Sequence, residues 1–138
     1  MIHEEICTYE VAKLAKEKGF PQHIGDDAYI VENEYDDKYE VGCHYPIQFI
    51  PDYLPTITAP TQSLLQRWLR DNHQADVWVE PVATMVTKTQ RCYYWHIAYD
   101  SDGSCIYILD SMLSYSTYEK ALEEGLKEAI IEFVEERK

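Results

Sequence analysis

"RCYYWHIAYDSDGSCIYIL", residues 91–109, decides the fold. Two β-rich runs flank Asp100-Ser101-Asp102-Gly103, and Asp-Gly between such runs is the strongest short-range hairpin signal, because both residues accept the positive φ of a primed turn. An even-length loop puts Tyr93, Trp95, Ile97 and Tyr99 on one face with Ile106 and Ile108, and that face is expected to be core. The opposite face then carries Tyr94, His96, Ala98, Cys105, Tyr107 and Leu109. It is apolar enough to be covered as well or to serve as a binding surface.

Upstream, "ADVWVEP" (75–81) alternates with Val77 and Val79 on one side, a strand expected to end at Pro81. Before it, "APTQSLLQRWLRDNH" (59–73) predicts a helix with Pro60 at its first position, where the missing N–H costs nothing. At about 100° per residue, Leu64, Leu65, Trp68 and Leu69 share an arc and Ser63, Gln66, Arg67, Arg70 and Asp71 fill the rest. Arg67 and Arg70 could meet an anionic partner, but solvation of an exposed face explains them as well. Downstream, Ser116-Thr117-Tyr118-Glu119 reads as a capping box with Ser116 as the cap. It opens a helix with the stripe Tyr118, Leu122, Leu126, Ala129, Ile130 and Phe133, flanked by the small residues Ala121 and Gly125. A first helix is announced by Thr8 as N-cap, carries Val11, Leu14 and Ala15 inward, and stops at Gly19 with Phe20 folding back.

Residues 20–57 read as strands and loops: "AYIVENEYDDKYEV" (28–41) alternates weakly around a turn at Asp36-Asp37, and Pro46, Pro51 and Pro55 interrupt the segment beyond it. Helices at both ends and in the middle, with hairpins between, point to an α+β fold. The expectation is one domain over residues 1–138, an antiparallel sheet with about three helices packed on it.

The chain has 25 Asp and Glu against 12 Lys and Arg, a formal net charge of −13. Direct binding of nucleic acid or an anionic membrane calls for a basic footprint, so both are disfavoured. No apolar run is long enough to span a bilayer, and the first residues carry no apolar segment of the secretory kind. The four cysteines, Cys7, Cys43, Cys92 and Cys105, lack paired spacing and are expected as reduced thiols in a cytoplasmic protein.

The tempting chemical motifs fail on geometry. His3-Glu4-Glu5-Ile6-Cys7 resembles a zinc-protease helix motif, but the first helix starts after it. Cys92 and His96 sit four residues apart on a strand, about 13 Å, too far to share a zinc ion. Cys43 and His44 point to opposite faces of an extended chain. Asp100-x-Asp102-Gly103 lacks the glycine and glutamate positions of a calcium loop. No phosphate-binding loop, dinucleotide fingerprint or nucleophile elbow is present, so neither cofactor nor metal is expected.

Three passages carry a resemblance: "TYEVAKLAKEKGF", "APTQSLLQRWLRDNHQADVWVEP" and "YYWHIAYDSDGSCIYILDSMLSYSTYEKALEEGLKEAI". Together they are similar to short phage- and prophage-encoded proteins of gut bacteria. The resemblance covers about half of the chain and implies a phage accessory product without assigning any residue a role. With 12 tyrosines and three tryptophans, aromatic side chains exceed what one sheet core needs, and tyrosine favours interfaces. The leading expectation is therefore a non-enzymatic protein that binds a host or phage protein through an acidic, Tyr-rich surface. Tyr94, His96, Tyr107, Arg67 and Arg70 are the candidate binding residues. The alternatives are a self-associating homodimer that buries the second sheet face, and a small enzyme with its site near His96.

Overall fold

A computed structural model describes residues 5–22, 26–34, 38–83, 91–100 and 106–134, with backbone alone for Val82, Ala83, Arg91, Ile106 and Tyr107. Its class is α+β, as expected. The antiparallel strands form two three-stranded sheets, and the chain divides into two compact units, the first reaching Thr61 and the second beginning at Gln62.

In the first unit, α1 (Tyr9–Glu17) starts where Thr8 accepts a hydrogen bond from the Val11 N–H at 3.4 Å. It ends in a left-handed glycine, Gly19 at φ 97°, with the Gly19 N–H donating to the Lys16 carbonyl and the Phe20 N–H to that of Ala15. That reciprocal pair satisfies the last carbonyls of the helix and folds Phe20 inward, where it is buried. The sheet, in the order β2 (His44–Pro46), β1 (Asp27–Ile30), β3 (Thr56–Thr58), pairs Tyr29 with His44 and Ile57. Tyr29 and Ile57 pack with Ala12 of α1 and with Ala59, and the Tyr29 hydroxyl donates to the Cys7 carbonyl. The expected turn at Asp36-Asp37 lies outside the described residues.

The second unit holds α2 (Gln62–His73), β4 (Ala75–Ala83), β5 (Arg91–Asp100), β6 (Ile106–Asp110) and α3 (Tyr118–Phe133), with sheet order β4-β5-β6. Pro60 does not open α2. Its carbonyl accepts from the Cys7 N–H at 2.8 Å and Thr61 bridges to Ile6, so the backbone stays extended until Gln62. Leu65, Trp68 and Leu69 are buried as the helical arc predicts, while Leu64 is half-buried. Gln74, at φ 54°, turns the chain straight from α2 into β4. Pro81 does not end that strand either, because β4 is an edge strand and a sheet tolerates proline there.

α3 is capped by Thr117, whose hydroxyl accepts from the Lys120 N–H at 3.1 Å, and not by Ser116. Leu122, Leu126, Ala129 and Ile130 are buried, whereas Tyr118 is largely exposed beside Tyr93. Gly125 permits the close approach of α3 to the sheet: a Cβ built there would stand 2.8 Å from Trp95 Cβ and 3.0 Å from Val77 Cγ1. α2 and α3 pack on each other, and Gln62 fastens their starts by donating to the Glu119 carbonyl at 2.8 Å and to Glu123 Oε1 at 3.1 Å. The helix-covered sheet face holds Ala75, Val77, Trp95 and Ile97, all buried, with Tyr99 stacked on Phe133 at 4.4 Å.

Candidate functional site

The opposite face of β4-β5-β6 gathers the candidate side chains, and strand register is what places them. His96 lies directly across from Trp78 on β4 and from Asp110 on β6. Side chains so paired on one face stand within contact distance. The Trp78 and His96 rings stack with centroids 5.2 Å apart and planes 26° apart. His96 Nδ1 lies 2.5 Å from Asp110 Oδ1, and Nε2 lies 3.4 Å from Oε2 of Glu80, the diagonal neighbour on β4. The imidazole is thus held between two carboxylates, one at each ring nitrogen. It is only 20% exposed, whereas Glu80 and Asp110 are 60% and 58% exposed. Nε2 is shielded from solvent, and Glu80 is near it without an aligned hydrogen bond. A neutral ring donates to one carboxylate; a protonated ring has a donor for each.

Around this group the face carries Asp76, Tyr94, Ala98, Asp100 and Ile108, the last 64% exposed. Counted by register among the described residues, its positions hold four carboxylates, Asp76, Glu80, Asp100 and Asp110, and neither lysine nor arginine. Cys92 shares the face, four residues from His96 as anticipated. The result is an anionic, aromatic-floored surface.

Of the residues singled out from sequence, Tyr94 and His96 lie on this face. Tyr107 does not: β6 pairs it with Tyr99, which places position 107 in phase with the helix-covered side, and Leu109 likewise pairs with Ile97. The pairing of Asp100 with Ile106 leaves five residues between the strands instead of an even number. An odd loop shifts β6 by one and exchanges its faces, bringing Ile108 and Asp110 to the side of His96. Arg67 and Arg70 are also elsewhere, on α2, where both meet Asp71 at 3.4 and 3.6 Å in solvent. Trp78, Glu80 and Asp110 were missed. The alternation of "ADVWVEP" sets Trp78 and Glu80 on one side, yet only the β4–β5 register brings them to His96.

The remaining polar clusters are simpler. His44 Nδ1 pairs with Asp27 Oδ2 at 2.9 Å in the first unit. Cys7, Cys43 and Cys92 carry free thiols, and Cys105 lies outside the described residues. Desolvation pushes the Cys43 thiol up, and the Glu40 carboxylate, 3.6 Å from Sγ, pushes the same way. A raised value leaves less of the reactive thiolate at a given pH. Ile6 and Cys7 are extended, which removes the helical spacing that a zinc-protease motif needs; His3 and Glu4 lie outside the described residues, as do Asp102 and Gly103. Among the described residues no group of three or more His, Cys, Asp or Glu is arranged to hold a metal ion. At His96 the reason is visible: the ring separates its two carboxylates. No described helix is long and apolar enough to cross a membrane. No protein-family profile, curated protein or solved structure matches this chain.

Proposed function

We propose that the chain is a non-enzymatic binding protein whose β4-β5-β6 face receives an arginine-bearing basic segment of a protein partner. The observation that carries this is the charge and aromatic pattern of one surface: Trp78 stacked on His96, four carboxylates on the same face, and neither lysine nor arginine at any described position of it. A guanidinium stacks on an aromatic plane while its fork of donors engages carboxylates, so one side chain can use both parts of the surface. The overall charge of −13 would speed encounter with a basic partner. The same four carboxylates weigh against the homodimer reading, since two copies joined through this face would oppose like charges. The resemblance to phage-encoded proteins points to a host or phage partner in the cytoplasm.

The Asp110–His96 pair favours one second reading, a general base oriented by a carboxylate. Such a base needs its other nitrogen open to substrate, and Glu80 stands there. Binding is therefore preferred. Calorimetric titration with tetra-arginine, tetra-lysine and tetra-glutamate peptides at low salt tests it. Tetra-arginine should bind tightest and tetra-glutamate should not bind. The double variant Glu80→Gln/Asp110→Asn should weaken tetra-arginine binding about tenfold, as two partly exposed ion pairs would. Equal binding by wild type and double variant would refute the assignment.

A further inference from the structure

The first unit contains a cavity of about 210 Å³ on the sheet face away from Tyr29. Its floor is Ala28 of β1 with Thr56 and Thr58 of β3, tied by register. Its wall is the segment after β2, where a 3-10 turn at Ile47–Phe49 leads through Ile50 to Leu54. That wall is fixed by backbone bonds from Ile47 N to Asp26 O at 2.9 Å, Ile50 N to Ile47 O at 3.1 Å and Leu54 N to Pro51 O at 3.2 Å. Gln22 closes one side, its Oε1 accepting from the Thr58 N–H at 2.9 Å and its Nε2 donating to the Phe20 carbonyl at 3.0 Å. The space is built, not a gap between loose side chains.

Size and chemistry narrow its occupant. An engineered apolar cavity of about 150 Å³ admits benzene, and drug-sized sites start near about 300 Å³, so this one suits a single ring or a short alkyl chain. Ile47, Ile50 and Leu54 supply an apolar wall, and Asp52 is the one ionisable residue in the described lining. Gln22 already uses its carbonyl oxygen within the unit, and the other side-chain acceptors of the lining are the Asp52 carboxylate and the threonine hydroxyls, of which the carboxylate alone is anionic. We propose that this cavity is a binding site for a small primary ammonium compound, its apolar body against Ile47, Ile50 and Leu54 and its cationic head at Asp52.

Amide chemical shifts of the full chain, followed during titration with benzylammonium, benzyl alcohol and benzoate, provide the test. Benzylammonium should shift Ala28, Leu54 and Thr58 with a dissociation constant of about 1 mM, a strength that about eight non-hydrogen atoms can supply. Benzyl alcohol should bind about threefold more weakly, the size of one exposed charge contact, and benzoate not measurably. Asp52→Asn should bring benzylammonium down to the level of the alcohol and leave the alcohol unchanged. Thr56→Leu, which intrudes on the cavity at an edge strand, should weaken both. Benzoate binding as tightly as the amine, no loss in Asp52→Asn, or shifts confined to residues outside the cavity would overturn the proposal.

Discussion

The two faces of the β4-β5-β6 sheet are made from alternate residues of the same strands, yet they solve different problems. On one, Val77, Trp95 and Ile97 are buried beneath α3, closely enough that only a glycine fits at position 125. On the other, Trp78 and His96 share the surface with Asp76, Glu80, Asp100 and Asp110. Adjacent positions such as Trp95 and His96 therefore differ in what a substitution removes. The helix-covered side holds the fold through buried apolar area; the other side holds exposed charges of little value to stability and considerable value to a cationic ligand.

Substitutions in the core should separate the two faces most widely. Leu126→Ala, at a fully buried position, should destabilise the protein by about 3 kcal/mol in urea unfolding, through lost transfer energy and the cavity left behind. Gly125→Val should cost about 2 kcal/mol, because its Cβ meets Trp95 Cβ near the backbone, where little can yield. Across the sheet, Glu80→Gln should change stability by less than about 0.5 kcal/mol in the same assay, since the contact with His96 is long and Glu80 itself is exposed. A loss there comparable to Leu126→Ala would show that the second face is structural.

The smallest effect belongs to the outer surface of α3, where charge acts without any ligand. Desolvation raises the Glu128 carboxyl above its ordinary value, and repulsion from Glu132, one turn away, adds to it. A raised folded value means the fold penalises the charged form, so removing the charge helps where the group is ionised. Glu128→Gln should stabilise by about 0.3 kcal/mol at pH 7, the scale of a like-charge pair at i,i+4. That gain should shrink as pH falls through the raised value and vanish below the unfolded carboxyl value of about 4.3. A gain that persists below about pH 4 would point to a cause other than charge.

Local signals were legible, and relations between distant strands were not. Thr8, Gly19 and Phe20 announce both ends of α1 because capping is decided within a few residues, and the Leu65, Trp68 and Leu69 arc identifies the buried side of α2 for the same reason. Pro60 misled because a partner far back in the chain, Cys7, holds its carbonyl in an extended segment. Ser116 misled by one residue, since Thr117 offers the same chemistry. Of the candidate site, Tyr94 and His96 were readable from alternation within β5. Asp110 and Tyr107 were exchanged by the parity of a loop, and Trp78 and Glu80 depend on how β4 registers against β5, which no short pattern encodes.

If the Trp78–His96 face is where a cationic partner sits, in preference to the other acidic surfaces, then mapping tetra-arginine onto the chain by ring and amide chemical shifts must show it. The Trp78 indole and His96 imidazole signals should move first and saturate together, with Tyr94 and Ile108 responding after them. Movement led instead by Glu124, Glu128 and Glu132 on α3, with Trp78 and His96 unchanged, would contradict it.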